Sequence, residues 1–503
     1  MDKRSSREVV AGPSLPWSRR ASSSPVAAQE IQGVRRLWCY GLAMLVPMGY
    51  FAWRYPLRRN ADMMLDIGNM SQYQSDEYLL FLAGFVLLFT LYILALLESR
   101  KLSTPLALRP VFACASLLGA TMAWMYPVNA TDIYIYAWRS RLFSQYGVNP
   151  IRAYFKDYPA DPWVRFASDE WSGRVSPYGP LWNLVSAPIT LLADHRIAVA
   201  LWGFKLLALG CFLLSGWIIV RTLRHSAEPH ALTGAIFFLW NPLVLWEAVG
   251  NGHNDIVMLV PMLLAFLLWS TKRDGLVIPL LVVATLIKYL AAPLIPLAAV
   301  AIASRTRSWR QLRSVLAETV LLSLLWLVIA FYPFYDVAAI RQSVAEQSTL
   351  INFSPAALVR YGLHLFMPQR ELRPWIGLAG GVIMLLTVVW QMVAVWRQPA
   401  RLPRAAFEVV FVLLFVSLFF RPWYLIMLAG VAALFVAEWP MFRTVVWTMC
   451  GMLSYALFIW IAAWYELQEP SVLAASVLLS FGLPLLVTIM EWIWGGEPVV
   501  RLT

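Results

Sequence analysis

Apolar residues fall along this chain in long runs separated by short polar intervals. Leu37 to Trp53, Tyr78 to Leu97 and Pro110 to Tyr126 come first, and after a gap follow Ile197 to Val220, Ala231 to Val249 and Ile256 to Trp269. Val315 to Phe334, Trp375 to Trp396, Val445 to Trp464 and Val472 to Trp494 complete the regular set. A helix rises about 1.5 Å per residue and needs roughly 17 to 25 residues to cross about 30 Å of hydrocarbon, so each run reads as a membrane crossing, Ile256 to Trp269 being short for one. Basic residues beside such runs favour the cytoplasm. Arg4, Arg7, Arg19, Arg20, Arg35 and Arg36 therefore place the N-terminus inside, and Arg100, Lys101 and Arg109 place the second interval there. The long polar interval from Tyr126 to Trp182 is then expected outside.

Three apolar stretches do not fit a single crossing. Leu181 to Ala193 is short and holds Pro188; if it crossed, Arg221 and Arg224 would face outward, so it is expected to dip in and return to the outer face. Leu276 to Ser304 has Lys272 and Arg273 on one flank and Arg305, Arg307, Arg310 and Arg313 on the other. Both flanks favour the cytoplasm, so this stretch must rise and come back, broken near Pro293 and Pro296, with Lys288 lifted toward the outer face. Phe407 to Glu438 is interrupted by "FFRPWYL", where Pro422 can end a helix and Arg421, Trp423 and Tyr424 are expected outside. The expected fold class is an all-α, polytopic transmembrane protein of about 13 or 14 crossings, with both termini cytoplasmic and a long outer loop after the third crossing.

Composition agrees with this reading. Of 503 residues, 60% are hydrophobic and 14% charged, against roughly a quarter charged in soluble domains. The net charge of +12 lies mostly between apolar runs and in the N-terminal tail, not in a basic stripe interleaved with stacking aromatics, which argues for anionic lipid as the neighbour and against nucleic acid. Cys39, Cys114, Cys211 and Cys450 all lie in apolar runs and read as small hydrophobes. The first 36 residues, rich in Ser, Arg and Ala, read as a disordered cytoplasmic tail with no signal-peptide cleavage site.

Topology gathers four polar features at one face: Asp132, the turn "GNGHNDI" from Gly250 to Ile256, Lys288, and "RPWY" from Arg421 to Tyr424. A charge deep in a membrane helix costs about 2.5 to 3.5 kcal/mol, so Lys288 requires a partner, and a phosphate group would serve. Asp132 can act as a general base toward a hydroxyl, or it and Thr131 can cap the helix that "IYIYAWRSRLF" predicts; the two roles are compatible. "SPYGPLW", Ser176 to Trp182, is either a plain loop-to-helix junction with Pro180 in the first turn, or an entrance lined by Tyr178 for a sugar or lipid. His253, Asn254 and Asp255 in succession cannot all face one way, so a three-ligand metal site is not expected there. Hydrogen bonding to a sugar or phosphate suits His253 and Asn254, while Asp255 can cap the helix starting at Ile256. Trp423 and Tyr424 read either as part of the site or as an interfacial anchor.

In order along the chain, "NATDIYIYAW", "SPYGPLW", "FFLWNPLVLWEAVGNGHNDIVM", "LIKYLAAPLIPL" and the late "PWY" together resemble the polytopic glycosyltransferases of the C superfamily. The likeness is to bacterial polyprenyl-phosphate-mannose-dependent mannosyltransferases and to the enzyme adding the first mannose of glycosylphosphatidylinositol anchors, and it covers roughly Pro110 to Leu297. The resemblance implies an outward-facing site, a polyprenyl-phosphate hexose donor, a lipid or glycan acceptor, and inverting transfer to a hydroxyl. It puts the base at Asp132, the donor-phosphate contacts at Lys288 and Arg421, and substrate contacts at Tyr178, His253, Asn254, Asp255, Trp423 and Tyr424. No cofactor is implied. Relatives often carry paired acids in the first loop, whereas the next acid after Asp132 is Asp157, which puts dependence on a divalent metal in doubt. The expected layout is a tail at 1–36, two additional helices at 37–109, a catalytic module at 110–303 with outer loop 127–180, and a C-terminal module at 304–503 with outer loop 335–374. A transporter or flippase of a lipid-linked glycan is the alternative, and a polymerase or ligase of such glycans a third reading. A transporter would favour inverted repeats, and none is detected.

Overall fold

A computed structural model describes residues 25–103, 105–167, 172–226, 228–347, 350–364 and 366–494. Within them the regular structure is helical, with isolated backbone bridges at Pro56 and Met125 and at Asn352 and Phe419. The physical reason is the medium: in hydrocarbon every backbone N–H and C=O must find its partner inside the segment, and a helix does this alone.

Among the described residues seven helices are long and apolar enough to cross a membrane: Ser75–Ser99, Pro105–Trp124, Ile197–Ser226, Trp309–Phe331, Arg370–Arg397, Trp439–Trp464 and Glu469–Trp494. Ala231–Leu239 and Pro242–Gly250 form an eighth, bent by 48°. Asn241 makes that bend: its side chain accepts from the backbone N–H groups of Leu243 and Val244, capping the second half ahead of Pro242. Five shorter apolar helices accompany them: Pro180–Ala193, Asp255–Ser270, Asp274–Ile287, Tyr289–Arg305 and Pro422–Ala432. The all-α polytopic class is as expected, while eight spans by length and composition fall short of the 13 or 14 crossings expected. Hydropathy runs do not distinguish a full span from a half-length helix that ends inside the protein.

The N-terminal region departs from expectation. Pro25–Ala43 is one helix, so residues 25–36 are not a disordered tail; residues 1–24 lie outside the described set. Glu30 accepts hydrogen bonds from the backbone N–H and hydroxyl of Ser103, and Arg36 pairs with Glu98, which ties this helix to the end of Ser75–Ser99. The expected first crossing, Leu37 to Trp53, is split between this helix and Leu45–Arg54. Pro47 lacks the N–H that would bond the Ala43 carbonyl, which ends the first helix there. Cys39 is exposed, and all four cysteines are free.

The hairpin Asp274–Arg305 does rise and return. Arg305 at its far end donates to Asp274 Oδ1 at 2.7 Å and to the Trp269 carbonyl, so both flanks meet at one end of the molecule. The break falls at Lys288, whose backbone is extended (φ −151°, ψ 126°). Pro180–Ala193 likewise has both ends against the Asp132 interval. Gly179 donates to the Ile287 carbonyl, while the Asp194 and His195 carbonyls accept from Arg141 and from Trp163 Nε1.

At the end of the bundle opposite Arg305, four helices stop. Leu108–Trp124, Pro242–Gly250, Val277–Ile287 and Leu402–Val416 all give way there to extended or turn backbone. Two helices begin at the same level, Asp132–Tyr146 and Asp255–Ser270. Helix C-termini carry unpaired carbonyls and partial negative charge, N-termini the reverse. This convergence sets the electrostatics of the site.

Candidate active site

Between these helix ends lies a cavity of about 640 Å³. Its lining includes Asp66, Asn69, Asn129, Thr131 and Asp132, together with Lys288, Arg421, Trp423, Tyr424, Tyr178 and Tyr455. Lys288 and Arg421 each immediately follow a stretch in which a helix ends, and Asp132 opens one. The charges thus match the helix dipoles.

Asp132 is the first residue of its helix, and Thr131, at the capping position, makes no side-chain capping bond. The carboxylate is thereby left for the cavity, where 23% of the side chain is exposed. Burial pushes the Asp132 carboxyl above the ordinary carboxylate range, while His253, Lys288 and Arg421 pull it back. His253 Nδ1 lies 4.0 Å from Asp132 Oδ2.

Lys288 lines the same cavity, its Nζ 2.7 and 2.8 Å from the two oxygens of Asp255 and 4.6 Å from the centre of the Tyr424 ring. This is the partner that an intramembrane lysine requires. The Lys288 side chain is 12% exposed, so it still reaches the cavity while Asp255 behind it is fully buried. Arg421 rests over the rings of Phe353 and Phe419, at 4.6 and 4.8 Å, in a segment held in extended form by the bridge between Asn352 and Phe419.

Gly179 explains the "SPYGPLW" motif. A Cβ at this position would lie 2.1 Å from the Leu286 carbonyl oxygen, so only glycine lets the loop press against the break that carries Lys288. Tyr178 is thereby fixed on the cavity lining beside that break, its ring edge-on to Tyr136 at 5.0 Å.

Asp132, Tyr178, Lys288, Arg421, Trp423 and Tyr424 are brought together as expected from sequence. His253, Asn254 and Asp255 are not on the cavity lining: all three are buried, one layer behind it. His253 stacks on Trp423, with ring centres 4.1 Å apart and 14° between planes. Asn254 accepts from the Tyr136 hydroxyl, and Asp255 holds Lys288. These three position the wall from behind. The turn folds this way because Gly252 takes φ +77°, open to glycine, which reverses the chain between the two helices.

The network extends to residues that sequence reasoning passed over. Glu247, fully buried, lies 3.2 Å from His253 Nε2 and accepts from Asn251 Nδ2 at 2.8 Å and from the Tyr455 hydroxyl at 2.6 Å. Lys205, also fully buried, donates to the carbonyls of Met122, Met125, Val249 and Gly250. It thus satisfies two of the converging helix ends, those leading to Asp132 and to His253. Each interrupts an apolar run, and the cost of an intramembrane charge was the signal that could have marked them. Asp66 and Asn69 had no such signal, lying in a short polar connection. Among the described residues no group of three or more His, Cys, Asp and Glu side chains is arranged to hold a metal ion.

The fold and cavity define a multi-pass integral membrane protein with an acid and two cations facing one chamber at the helix ends. Residues 37–304, just over half of the chain, match the family described as alpha-(1->6)-mannopyranosyltransferase, N-terminal domain, and the chain belongs to that family. This bears out the resemblance to membrane mannosyltransferases of the C superfamily. The chain is 26% identical over 174 residues to alpha-(1->6)-mannopyranosyltransferase A of Corynebacterium glutamicum, which is 34% of each chain. It is 27% identical over 177 residues to the A protein of Mycobacterium tuberculosis, 34% of this chain and 32% of that one. To the B protein of C. glutamicum it is 26% identical over 150 residues, 27% of this chain and 24% of that one. The aligned part spans about a third or less of each curated relative.

Proposed function

We propose that this protein is a mannosyltransferase that moves a mannosyl group from a polyprenyl-phosphate donor to a hydroxyl acceptor, with inversion, on the extracytoplasmic side of a bacterial cytoplasmic membrane. The observation that carries the reading is the pairing of Asp132 with Lys288 and Arg421 on one cavity. The acceptor oxygen attacks the anomeric carbon as the bond from that carbon to the phosphate oxygen breaks. The hydroxyl proton passes to Asp132, and the charge developing on the departing phosphate is met by Lys288 and Arg421. A single displacement needs one base and a good leaving group, and the donor brings the latter. Burial of Asp132 favours this role, because a carboxylate with a raised pKa is a stronger base toward a hydroxyl.

Orientation follows from charge. The cavity lies at the end away from Arg305, and Lys272, Arg273, Arg307 and Arg310 flank that same far end in sequence, which favours the cytoplasm for it and the outside for the cavity. Both termini are then cytoplasmic. The catalytic module is residues 110–303, with 37–109 forming one side of its chamber and 304–503 supplying Arg421, Trp423 and Tyr424. The names of the relatives support mannose as the sugar.

The test uses purified protein in nanodiscs with radiolabelled polyprenyl-phosphate mannose and a mixed lipid extract as acceptor, wild type beside Asp132→Asn. Label reaching a new product with wild type alone is the expected result. Donor binding by both proteins with no label moved by either would defeat the transferase reading and favour a lipid-linked glycan carrier.

A further inference from the structure

We propose that Asp66, helped by Asn69, is an acceptor-positioning residue, and that the connection between the first two crossings forms a subsite for the hydroxyl groups of the acceptor. This rests on the transferase reading above and adds to it which part of the lining binds the acceptor.

Lys288 and Arg421 line the cavity together with Tyr424, whose ring centre is 4.6 Å from Lys288 Nζ. Asp66 and Asn69 line it from the connection that the Ile67 N–H ties to the Val128 carbonyl, four residues before the base Asp132. Asp66 accepts from the backbone N–H and Nδ2 of Asn69 through Oδ1, at 2.8 and 3.0 Å. Among the described residues it forms no ion pair, and its Oδ2 is left for a ligand. A carboxylate there disfavours the anionic donor phosphate, which belongs against the cations. Carboxylate and carboxamide oxygens accept hydrogen bonds from hydroxyl groups, and a charged acceptor makes such bonds stronger and shorter. The connection beside the base is therefore equipped to hold a polyhydroxylated acceptor, not merely to admit a single alcohol.

The connection is also held in place as a binding wall must be. Ile67 N–H donates to the Val128 carbonyl at 2.7 Å, and Tyr126 N–H to the Tyr55 carbonyl at 2.7 Å. The hydroxyls of Tyr126 and Tyr134 both donate to the Met63 carbonyl, at 2.7 and 2.9 Å. Gly68 sits so close to Tyr73 and Ile459 that a Cβ there would meet their side chains at 2.5 and 2.6 Å. Val128 and Tyr126 belong to the segment that leads into Asp132, so the same bonds fix the subsite relative to the base.

The experiment compares wild type, Asp66→Asn and Asn69→Ala with decaprenyl-phosphate mannose as donor and two acceptors, octyl α-mannoside and dodecanol. Asn caps a helix about as well as Asp, so Asp66→Asn keeps the local turn and removes the charge. Expected is a rise of about tenfold in the KM for octyl mannoside, with donor KM and use of dodecanol within about twofold of wild type. Asn69→Ala, at an exposed position, should raise the mannoside KM by a smaller factor. An unchanged mannoside KM in both variants, or donor and acceptor KM values rising together, overturns the proposal. Binding of octyl mannoside without donor, by calorimetry, separates the two readings. A wild type that binds the mannoside more tightly than Asp66→Asn but moves no mannose keeps the subsite and defeats the transferase. Transfer by both proteins with one mannoside KM does the reverse.

Discussion

The pH dependence of transfer should report the contact between His253 and Asp132. His253 is fully buried, with Nδ1 4.0 Å from a carboxylate oxygen of Asp132. Between full charges at that distance Coulomb's law gives about 4 kcal/mol at an effective dielectric of about 20, and water at Asp132, which remains 23% exposed to the cavity, screens the interaction further. The sign follows from the state that reacts. Burial already raises the Asp132 carboxyl and His253 opposes that rise, so His253→Gln should raise it further. The active, deprotonated form would then be lost at a higher pH as the medium is acidified. Profiles of kcat/KM against pH, which report free-enzyme groups, should show the acidic limb of His253→Gln displaced upward, with the rate above the limb much less affected. Gln keeps a flat polar group against Trp423, which limits loss of the stack. A limb that stays in place or moves down would refute the reasoning.

Asp132→Asn should lower kcat by about 10²- to 10⁴-fold, with donor binding retained in a filter assay. Asp255→Ala leaves Lys288 without its partner in a buried setting and should destabilise the protein by about 3 to 5 kcal/mol, read as an earlier thermal unfolding in detergent; adding Lys288→Met should restore much of that stability while transfer stays lost. Gly179→Ala places a Cβ 2.1 Å from the Leu286 carbonyl oxygen, and should raise donor KM by displacing Lys288 and Tyr178 together, whereas Gly173→Ala, with its nearest contact at 3.8 Å, should not. Lys205→Met strips the donor from four backbone carbonyls at a cost of about 1 to 3 kcal/mol for each one left unsatisfied, and hydrogen exchange should rise in the segments leading to Asp132 and His253.

Much of this protein is legible in one dimension. A crossing is a local statement about about twenty apolar residues, and the cost of a charge among them is local too, so the all-α class, the broken hairpin around Lys288 and the break before "RPWY" follow from the string of residues. The same reasoning marked Asp132, Lys288 and Arg421 as one site, because basic flanks place the chain's breaks at one end. It did not show that five apolar helices are short, since a run bounded by polar residues looks alike whether it crosses or stops. It also put His253, Asn254 and Asp255 in contact with substrate, where the turn instead buries them, stacking the His253 ring on Trp423 and turning the polar atoms of Asn254 and Asp255 onto Tyr136 and Lys288.

What the sequence by itself determined is therefore the all-α class, the long apolar helices, and the charged breaks that carry Asp132, Lys288 and Arg421. Only the tertiary structure decided how those breaks are held together. Glu247 finds Tyr455 208 residues away, Lys205 reaches carbonyls 80 and 45 residues off, and Tyr126 binds Met63 across 63 residues. Such pairings are set by where helix ends meet when their apolar faces pack, and by the need to satisfy the carbonyls left open there. No periodicity along the chain encodes that meeting, so the wall built by Asp66 and Asn69 becomes visible only once the helices are assembled.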